Sequence, residues 1–266
     1  MKKITRLSVL FMLFSATFGS CDTEPVDPVL SENIGEENPG TDPGTDPGTD
    51  PGTSSGDYFP LAVNNQWIFL KDGAPIEPIK IIATQTINDK QYYKVNQYFE
   101  DAGTAEMTGT AVIYFRKDGG SYIQRVTVDV PDQEGMHMTV SPYEYIMLKD
   151  NLDVGQTWTQ TVTQVTTYEV PANFPIDMPD ITTILTIDGK ILEKDVTATV
   201  NGHTYENVIK ISLKQTAVIE GMGTGLPPTV INSEIWFAKN VGPIKSSASA
   251  PGMGVIVQDL DSYIVN

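Results

Sequence analysis

Side chains suited to nucleophilic or metal chemistry are scarce in this sequence. Its 266 residues include one Cys and two His. A nucleophile triad needs a histidine within hydrogen-bond reach of a Ser or Cys, but no Gly-x-Ser-x-Gly elbow accompanies His137 or His203. Each histidine lies near a predicted hairpin turn, where an exposed imidazole is the simpler interpretation. We therefore predict no catalytic residue, metal or cofactor, and a zinc finger, an iron–sulfur site and a disulfide framework are excluded because each needs several such ligands.

Acidic side chains offer a second kind of chemistry. Two carboxylates that face each other about 5 to 10 Å apart across a cleft can hydrolyse a glycosidic bond. With 34 acidic residues in the chain, the presence of close pairs in the sequence has little weight. Asp177 with Asp180, and Asp129 with Asp132 and Glu134, lie in predicted loops and are most simply solvated. A cell-envelope glycan hydrolase using paired carboxylates is therefore kept as the alternative to a binding function.

Several predicted loop tips carry apolar side chains, which is unusual because loops are normally polar. The residues concerned are Met136, Met138, Phe174, Met178, Met222 and Leu226. Two explanations stay open: the tips fold over the end of the sheet and complete its core, or they form the rim of a hollow that binds a hydrophobic or glycan ligand. Methionine suits either role, because its flexible side chain adapts to irregular apolar surfaces.

The N-terminal sequence has the pattern of an export signal. Basic residues at positions 2, 3 and 6 precede an apolar run from Leu7 to Phe18, which is too short to span a bilayer as a mature helix. The only cysteine, Cys21, follows this run directly after two small residues, an arrangement that resembles a lipobox. Residues 1–20 are therefore predicted to be a lipoprotein signal peptide, and Cys21 the lipid attachment site. The acyl chains would then anchor the protein to a membrane, as an outer-membrane lipoprotein on the cell surface or the periplasmic face.

Residues 21–57 are predicted to be a disordered tether. Thr-Asp-Pro-Gly repeats from Thr41 to Gly52, and Pro, Gly and like charges together prevent a packed core. Beyond the tether, residues 58–266 contain 24 acidic and 14 basic residues, a net charge of −10. A body this acidic, without a basic cluster, does not favour nucleic acid as a partner.

Residues 58–266 are predicted to form one all-β domain. Runs rich in Val, Ile, Thr and Tyr alternate with Gly, Pro, Asn and Asp, and the stretches 121–130 and 208–219 alternate apolar and polar residues with a period of two. This pattern is typical of an antiparallel sheet that is covered on one face. We predict a curved sheet, sandwich or half-barrel around one core.

An internal duplication is predicted from three motifs that recur in the same order. Leu61–Trp67 matches Leu152–Trp158, the turn region Ile87–Tyr93 matches Val200–Tyr205, and Tyr114–Gly120 matches Trp236–Gly242. The two halves would comprise about residues 58–148 and 149–266. Trp67, Trp158 and Trp236 could stack on sugar rings, but their strand positions favour core packing.

The same motifs resemble those of a group of secreted, lipoprotein-like proteins of Bacteroidetes type that have no established biochemical role. The resemblance lies in Tyr58-Phe-Pro-Leu61 with Asn65 and Trp67, in Tyr114–Gly119, in Leu152-x-Val-Gly-x-x-Trp158, and in Trp236-Phe-Ala-Lys-Asn-Val-Gly-Pro-Ile-Lys245. It implies an antiparallel sheet curved around an apolar hollow, of the general kind seen in periplasmic lipoprotein carriers, and it supplies no catalytic residue. Together, the signal, the tether and the all-β domain favour an envelope-anchored binding or carrier module.

Overall fold

The computed structural model describes residues 52–99, 110–132, 136–170, 179–220 and 227–266. These residues form strands, turns and irregular segments, and none of them lies in a helix. In the same ranges there is accordingly no helix with the length and apolarity needed to cross a membrane. The signal peptide, Cys21 and nearly all of the predicted tether lie outside the described residues.

Thirteen strands are present in the described part of the chain. In chain order, β1 to β13 are Gln66–Lys71, Ala74–Pro75, Ile79–Ile87, Lys90–Val95, Thr110–Asp118, Ser121–Asp129, His137–Lys149, Thr157–Glu169, Ile181–Val200, His203–Glu220, Thr229–Ala238, Gly242–Ser249 and Ile256–Ile264. The all-β prediction is confirmed.

The strands form one antiparallel sheet that closes on itself. Each strand from β3 to β13 pairs with the next along the chain, β1 pairs with β3, and β1 also pairs with β13. The short β2 pairs only with β1, on the same edge of β1 that pairs with β3, so β2 and β3 share one place in the ring. The result is a closed barrel of twelve strands, so the predicted curved sheet is present and its curvature continues to complete closure.

The two ends of the barrel differ. Because the strands alternate in direction, the turns at 88–89, 119–120, 150–156, 201–202 and 239–241 all lie at one end. Residues 52–65, here called the plug, lie across this end, which we call the plug end. The plug's backbone contacts three separate connections between strands: Gly52 O accepts a hydrogen bond from Gly120 N, Ser55 N donates to Asp150, and Asp57 O accepts from Asn240 N. The opposite end is called the loop end.

The hydrophobic core fills the interior near the plug end. Phe59 of the plug is fully buried, and its ring centroid lies 5.1 Å from that of Trp67 and 4.8 Å from that of Phe115. Tyr98 and Phe99 continue this aromatic cluster toward the middle of the barrel, with centroids 4.7 Å apart. Edge-to-face and tilted contacts of this kind stabilise aromatic pairs beyond their buried area. The plug is therefore part of the core.

Two polar groups fix the plug in place. Asp150, which is completely buried, accepts hydrogen bonds from Ser54 Oγ at 2.6 Å, Ser55 N at 3.0 Å and Tyr122 Oη at 3.3 Å. Tyr122 Oη also accepts from Tyr58 N at 2.8 Å. Burial, with the nearby carboxylate of Asp150, raises the pKa of Tyr122 well above its ordinary value, so the hydroxyl stays protonated.

The predicted hairpin turns are present with the expected backbone. Asn201 and Gly202 both have positive φ, at 47° and 79°, and so do Asn88 and Asp89, at 48° and 61°. A type I′ turn requires positive φ at both central residues, which explains the Asn-Gly and Asn-Asp pairs.

The strand positions of the repeated motifs correspond between the two halves. Trp67 lies in β1, the first of six barrel strands in its half, and Trp158 lies in β8, the first of six in the other. Trp67 Nε1 donates to Val241 O at 2.7 Å, and Trp158 Nε1 donates to Ile146 O at 3.1 Å. The duplication itself stays a prediction, which superposition of the two halves would test.

Trp236 differs from the other two tryptophans. Trp67 and Trp158 are buried in the core, as predicted, but Trp236 is only partly buried. It lies on the outer face between Lys210 and Lys245, whose ammonium groups are 4.2 Å and 5.3 Å from the ring. The predicted core position of Trp236 is therefore met only in part: the side chain packs against the core cluster, but its neighbours Ile235 and Phe237 are buried and Trp236 between them lies on the opposite face.

Candidate binding site

The interior of the barrel beyond the core is the candidate binding site. An eight-stranded barrel is just filled by its own side chains, and the diameter grows with the number of strands. Twelve strands therefore leave more room than side chains alone need to fill. The plug and the aromatic cluster occupy this room at the plug end, so a hollow is expected toward the loop end.

A layer of uncharged polar side chains lies directly above the core. We call it the amide layer, and its members are Gln124, Gln215, Ser233, Ser246 and Gln258. Gln124 pairs in register with Phe115, a core residue, and therefore shares its inward face. Gln215 follows the inward Leu213 two residues along β10, and Gln258 lies directly opposite Ser246 in the β12–β13 pair.

Parts of the amide layer are buried without a hydrogen-bond partner in the protein. Gln258 is 1% exposed, and neither its Oε1 nor its Nε2 has a partner. Gln124 is 5% exposed, and its Oε1 has none. A buried amide that makes no hydrogen bond is costly by about 1–3 kcal/mol. Such groups are rare in folded proteins unless a water or a ligand completes them.

A small cavity borders this layer. Its volume is about 30 Å³, and it is lined by four of the five layer members together with Tyr98, Phe99, Tyr145 and several apolar side chains. The aromatic rings of Tyr98 and Phe99 form its floor on the core side. The cavity is therefore a polar recess on an aromatic base, large enough for about one water molecule or one small polar group.

The inner wall between the amide layer and the loop end is mainly apolar. Val162, Leu185 and Ala217 lie side by side in register on β8, β9 and β10. All three are only partly buried, and Ile219, further along the inward face of β10, is 43% exposed. Inward-facing apolar side chains that remain accessible indicate an interior that the protein does not fill at this level. We call this region the apolar wall.

Two of the six predicted rim residues are described by the structure. Met136 and Met138 lie at the loop end, on the same face as the buried inward Val140, and both are partly buried. Met138 pairs in register with Tyr168 of β8. Phe174, Met178, Met222 and Leu226 lie outside the described residues. Their described neighbours Val170, Pro179, Glu220 and Pro227 lie at or next to strand ends at the loop end.

The side chains considered for catalysis do not form a catalytic arrangement in the described ranges. His203 is exposed at the start of β10, at the plug end. His137 is exposed at the loop end, where Asp132 Oδ1 lies 2.6 Å from its Nδ1 and raises its pKa. Asp129, Asp132 and Asp180 are exposed, whereas Glu134 and Asp177 lie outside the described residues. Among described residues, no three His, Cys, Asp or Glu side chains come together to hold a metal ion.

A second hollow, of about 460 Å³, lies at the plug end. It is lined by the plug residues Asp57, Phe59 and Leu61 and by Lys90, Gln91, Tyr93, Arg116, Lys117 and Asp118. Its buried cation, Arg116, is engaged within the protein: Nη1 donates to Asp118 Oδ2 at 2.9 Å and Nε donates to Tyr92 Oη at 3.1 Å. Because this buried cation is already paired with Asp118, this hollow is the weaker candidate.

Sequence reasoning did not identify the amide layer. One signal was present: Gln215 interrupts the inward apolar positions of β10 between Leu213 and Ala217, and Gln124 interrupts those of β6 between Tyr122 and Val126. A glutamine on the apolar face of a strand indicates either an internal hydrogen bond that satisfies its amide or a ligand-binding site.

Comparison with known proteins finds two solved structures that align with this chain. One is a Bacteroides fragilis protein described as exported and as having a YmcC-like fold, with a TM-score of 0.43 and 11% sequence identity. The other is described as a lipoprotein of Parabacteroides distasonis, with a TM-score of 0.43 and 9% identity. Each alignment covers 78% of this chain and 98% of the other. No protein-family model and no curated protein sequence matches the chain.

Proposed function

We propose that this protein is an envelope-anchored lipoprotein whose barrel binds a hydrophobic ligand in its interior, toward the loop end, without chemically changing it. The observation that carries the proposal is the apolar wall. Its inward side chains remain partly accessible in a barrel whose other end is densely filled. Apolar surface of this kind gains stability when a ligand removes it from water.

The lining of the hollow supports a binding function over catalysis. The apolar wall offers aliphatic contact, and the amide layer offers a few polar groups at its base, which is the usual composition of a small-molecule site. No carboxylate lines the recess beside the amide layer. Glycan hydrolysis would need two facing carboxylates, and no observation favours it.

Anchoring to the envelope is inferred from the sequence alone. The basic start, the short apolar run and the lone Cys21 predict acylation, and the Pro- and Gly-rich repeat up to Gly52 predicts a long spacer. The spacer joins the barrel at the plug end, through residues 52–57. The loop end, where the ligand would enter, is therefore free of the covalent attachment.

Binding can be tested with a pair of neighbouring substitutions on β9. Leu185 faces the interior beside Val162 and Ala217, whereas Ile184 pairs with the exposed Val218 on the outer face. The test uses a protein that comprises residues 22–266 and therefore keeps all barrel residues. Titration with the fluorescent probe N-phenylnaphthylamine should give a fluorescence signal that saturates. Leu185→Asn should weaken this binding by about tenfold or more, because a leucine side chain contributes on the order of 1.5–3 kcal/mol when fully buried. Ile184→Asn serves as the matched control and should bind like the wild type.

Three results would contradict the proposal: no saturable binding by the wild type, equal weakening by the two variants, or measurable glycan cleavage by the purified protein. The predicted rim gives a further check. Replacing Phe174, Met178 and Met222 with Ser should weaken probe binding while the melting temperature stays close to that of the wild type. A large fall in melting temperature would instead assign those residues to the core.

The anchor is tested separately. Mass spectrometry of the mature protein should give an N-terminal, diacylated Cys21, and Cys21→Ser should leave the protein unacylated, either unprocessed or released. Any other mature N-terminus would exclude the assignment. Protease treatment of intact cells then distinguishes cell-surface from periplasmic exposure.

A further inference from the structure

We infer that the amide layer recognises the polar end of the ligand, and that this polar end is uncharged: the ligand is a neutral amphiphile whose hydroxyl, ester or amide head group reaches the layer while its hydrocarbon chain lies along the apolar wall. This inference rests on the proposed function and specifies its ligand class. The observation behind it is the buried glutamine amides without partners.

The unpartnered atoms provide both kinds of hydrogen-bonding group. Gln258 presents a carbonyl oxygen and an NH₂ group, and Gln124 presents a carbonyl oxygen, all buried and without a partner in the protein. An amide can accept from a hydroxyl and donate to a carbonyl or hydroxyl oxygen. A head group that carries both functions can form hydrogen bonds with either amide, whereas a hydrocarbon would leave both unmet.

The position of the layer determines the orientation of the ligand. It lies between the aromatic floor formed by Tyr98 and Phe99 and the apolar wall that extends toward the loop end. When the polar end of the ligand lies at this depth, the rest of the ligand can contact only the apolar wall. The head group therefore enters first, and the hydrocarbon chain follows toward the loop end.

The absence of charge in the layer determines the type of head group. All five members of the amide layer are neutral. Lys71 lies opposite Gln258 across the β13–β1 pair, on the same face, and has an interaction of its own within the protein. A carboxylate brought to this depth would lose its hydration and meet two amide carbonyl oxygens, so an anionic head group is disfavoured.

A single trapped water is the competing explanation, since the cavity of about 30 Å³ could hold one. The two explanations predict different effects of replacing the glutamines. If only a water is bound, removing the amides changes stability and leaves ligand affinity unchanged. If a head group is bound, affinity falls for ligands that carry the group and for no others.

The experiment measures binding of monoolein, oleate and octadecene, which share a hydrocarbon chain length, to the chain from residue 22 onward by competition with N-phenylnaphthylamine. The variants are Gln124→Met and Gln258→Met, because methionine has nearly the same shape as glutamine but forms no comparable hydrogen bonds. Gln85→Met, at an exposed position of β3, is the matched control.

The wild type should bind monoolein more tightly than oleate or octadecene. Each interior variant should weaken monoolein binding by about three- to tenfold, the effect of one neutral hydrogen bond, and leave octadecene binding unchanged.

Unchanged monoolein affinity in both variants, with or without a higher melting temperature, would overturn the inference in favour of a bound water. Tighter wild-type binding of oleate would overturn the neutral head group. Equal wild-type binding of all three probes refutes this inference alone, whereas failure of all three to bind refutes the proposed function with it.

Discussion

The plug end and the loop end of the barrel are built from the same twelve strands, but their interiors are completed differently. At the plug end, the buried carboxylate of Asp150 is satisfied by Ser54, Ser55 and Tyr122, and Phe59 fills the centre. Toward the loop end, the amide of Gln258 is buried without a partner, and inward apolar residues such as Ile219 remain accessible. Dense packing at one end can stabilise the closed sheet while the other end keeps a hollow.

The largest expected effect is at the core of the plug end. Trp158→Ala should lower the free energy of unfolding by about 3–5 kcal/mol, because it removes a large buried side chain and leaves a cavity. The indole also fits closely against Gly189, where an added Cβ would lie 2.1 Å from Trp158 Cε2. Denaturant unfolding measures the change.

Trp236→Ala is the control for this substitution, because Trp236 is only partly buried on the outer face. It should cost clearly less. Equal losses for the two tryptophans would mean that the core is not concentrated where the structure places it.

An intermediate effect is expected from the polar support of the plug. Asp150→Asn keeps the shape of the side chain but replaces one acceptor oxygen with a donor, which cannot accept from Ser54 Oγ or Tyr122 Oη. We expect a loss of about 1–3 kcal/mol in the free energy of unfolding. Asp153→Asn, at an exposed position in the same loop, should change stability little. If the two variants were equally stable, Asp150 would not hold the plug in place.

The smallest effect is expected at the loop end, where His137 meets Asp132. Hydrogen bonding to the Asp132 carboxylate raises the pKa of His137 above its usual value of about 6.5. The contact therefore stabilises the folded state fully below that usual value, and its contribution is lost as the pH rises through the raised pKa. NMR titration of the imidazole should give the raised pKa, and Asp132→Asn should lower it. A pKa at or below 6.5 in the wild type would show that the contact does not form in solution.

Local sequence patterns predicted the strands and turns well. The alternation in 208–219 lies within β10, and the Asn201-Gly202 turn has the expected positive φ values. Closure of the barrel was not predictable in the same way, because it depends on the pairing of β1 with β13. These two strands are about two hundred positions apart in the chain. The same is true of Asp150, whose role depends on contacts with Ser54 and Ser55 far away in the chain.

The candidate site was predictable only in part. The apolar loop tips left open a binding rim or a completed core, and of their predicted residues Met136 and Met138 lie at the loop end; the rim itself stays a prediction. The amide layer was missed because a single glutamine in an alternating strand resembles an ordinary surface residue. Only the inward position of Gln124 opposite Phe115 distinguishes it.

The attachment of the plug has a mechanical consequence. Tension applied through the residues that precede Gly52 would act first on the contacts of Ser54 and Ser55 with Asp150, and then on the buried Tyr58 and Phe59. Load applied through the C-terminus would act on the hydrogen bond from Asn266 N to Asn65 and on the pairing of β13 with β1 and β12. In a single-molecule pulling experiment with handles on the N-terminal segment and on the C-terminus, release of the plug should therefore give a short extension separate from the rupture of the sheet.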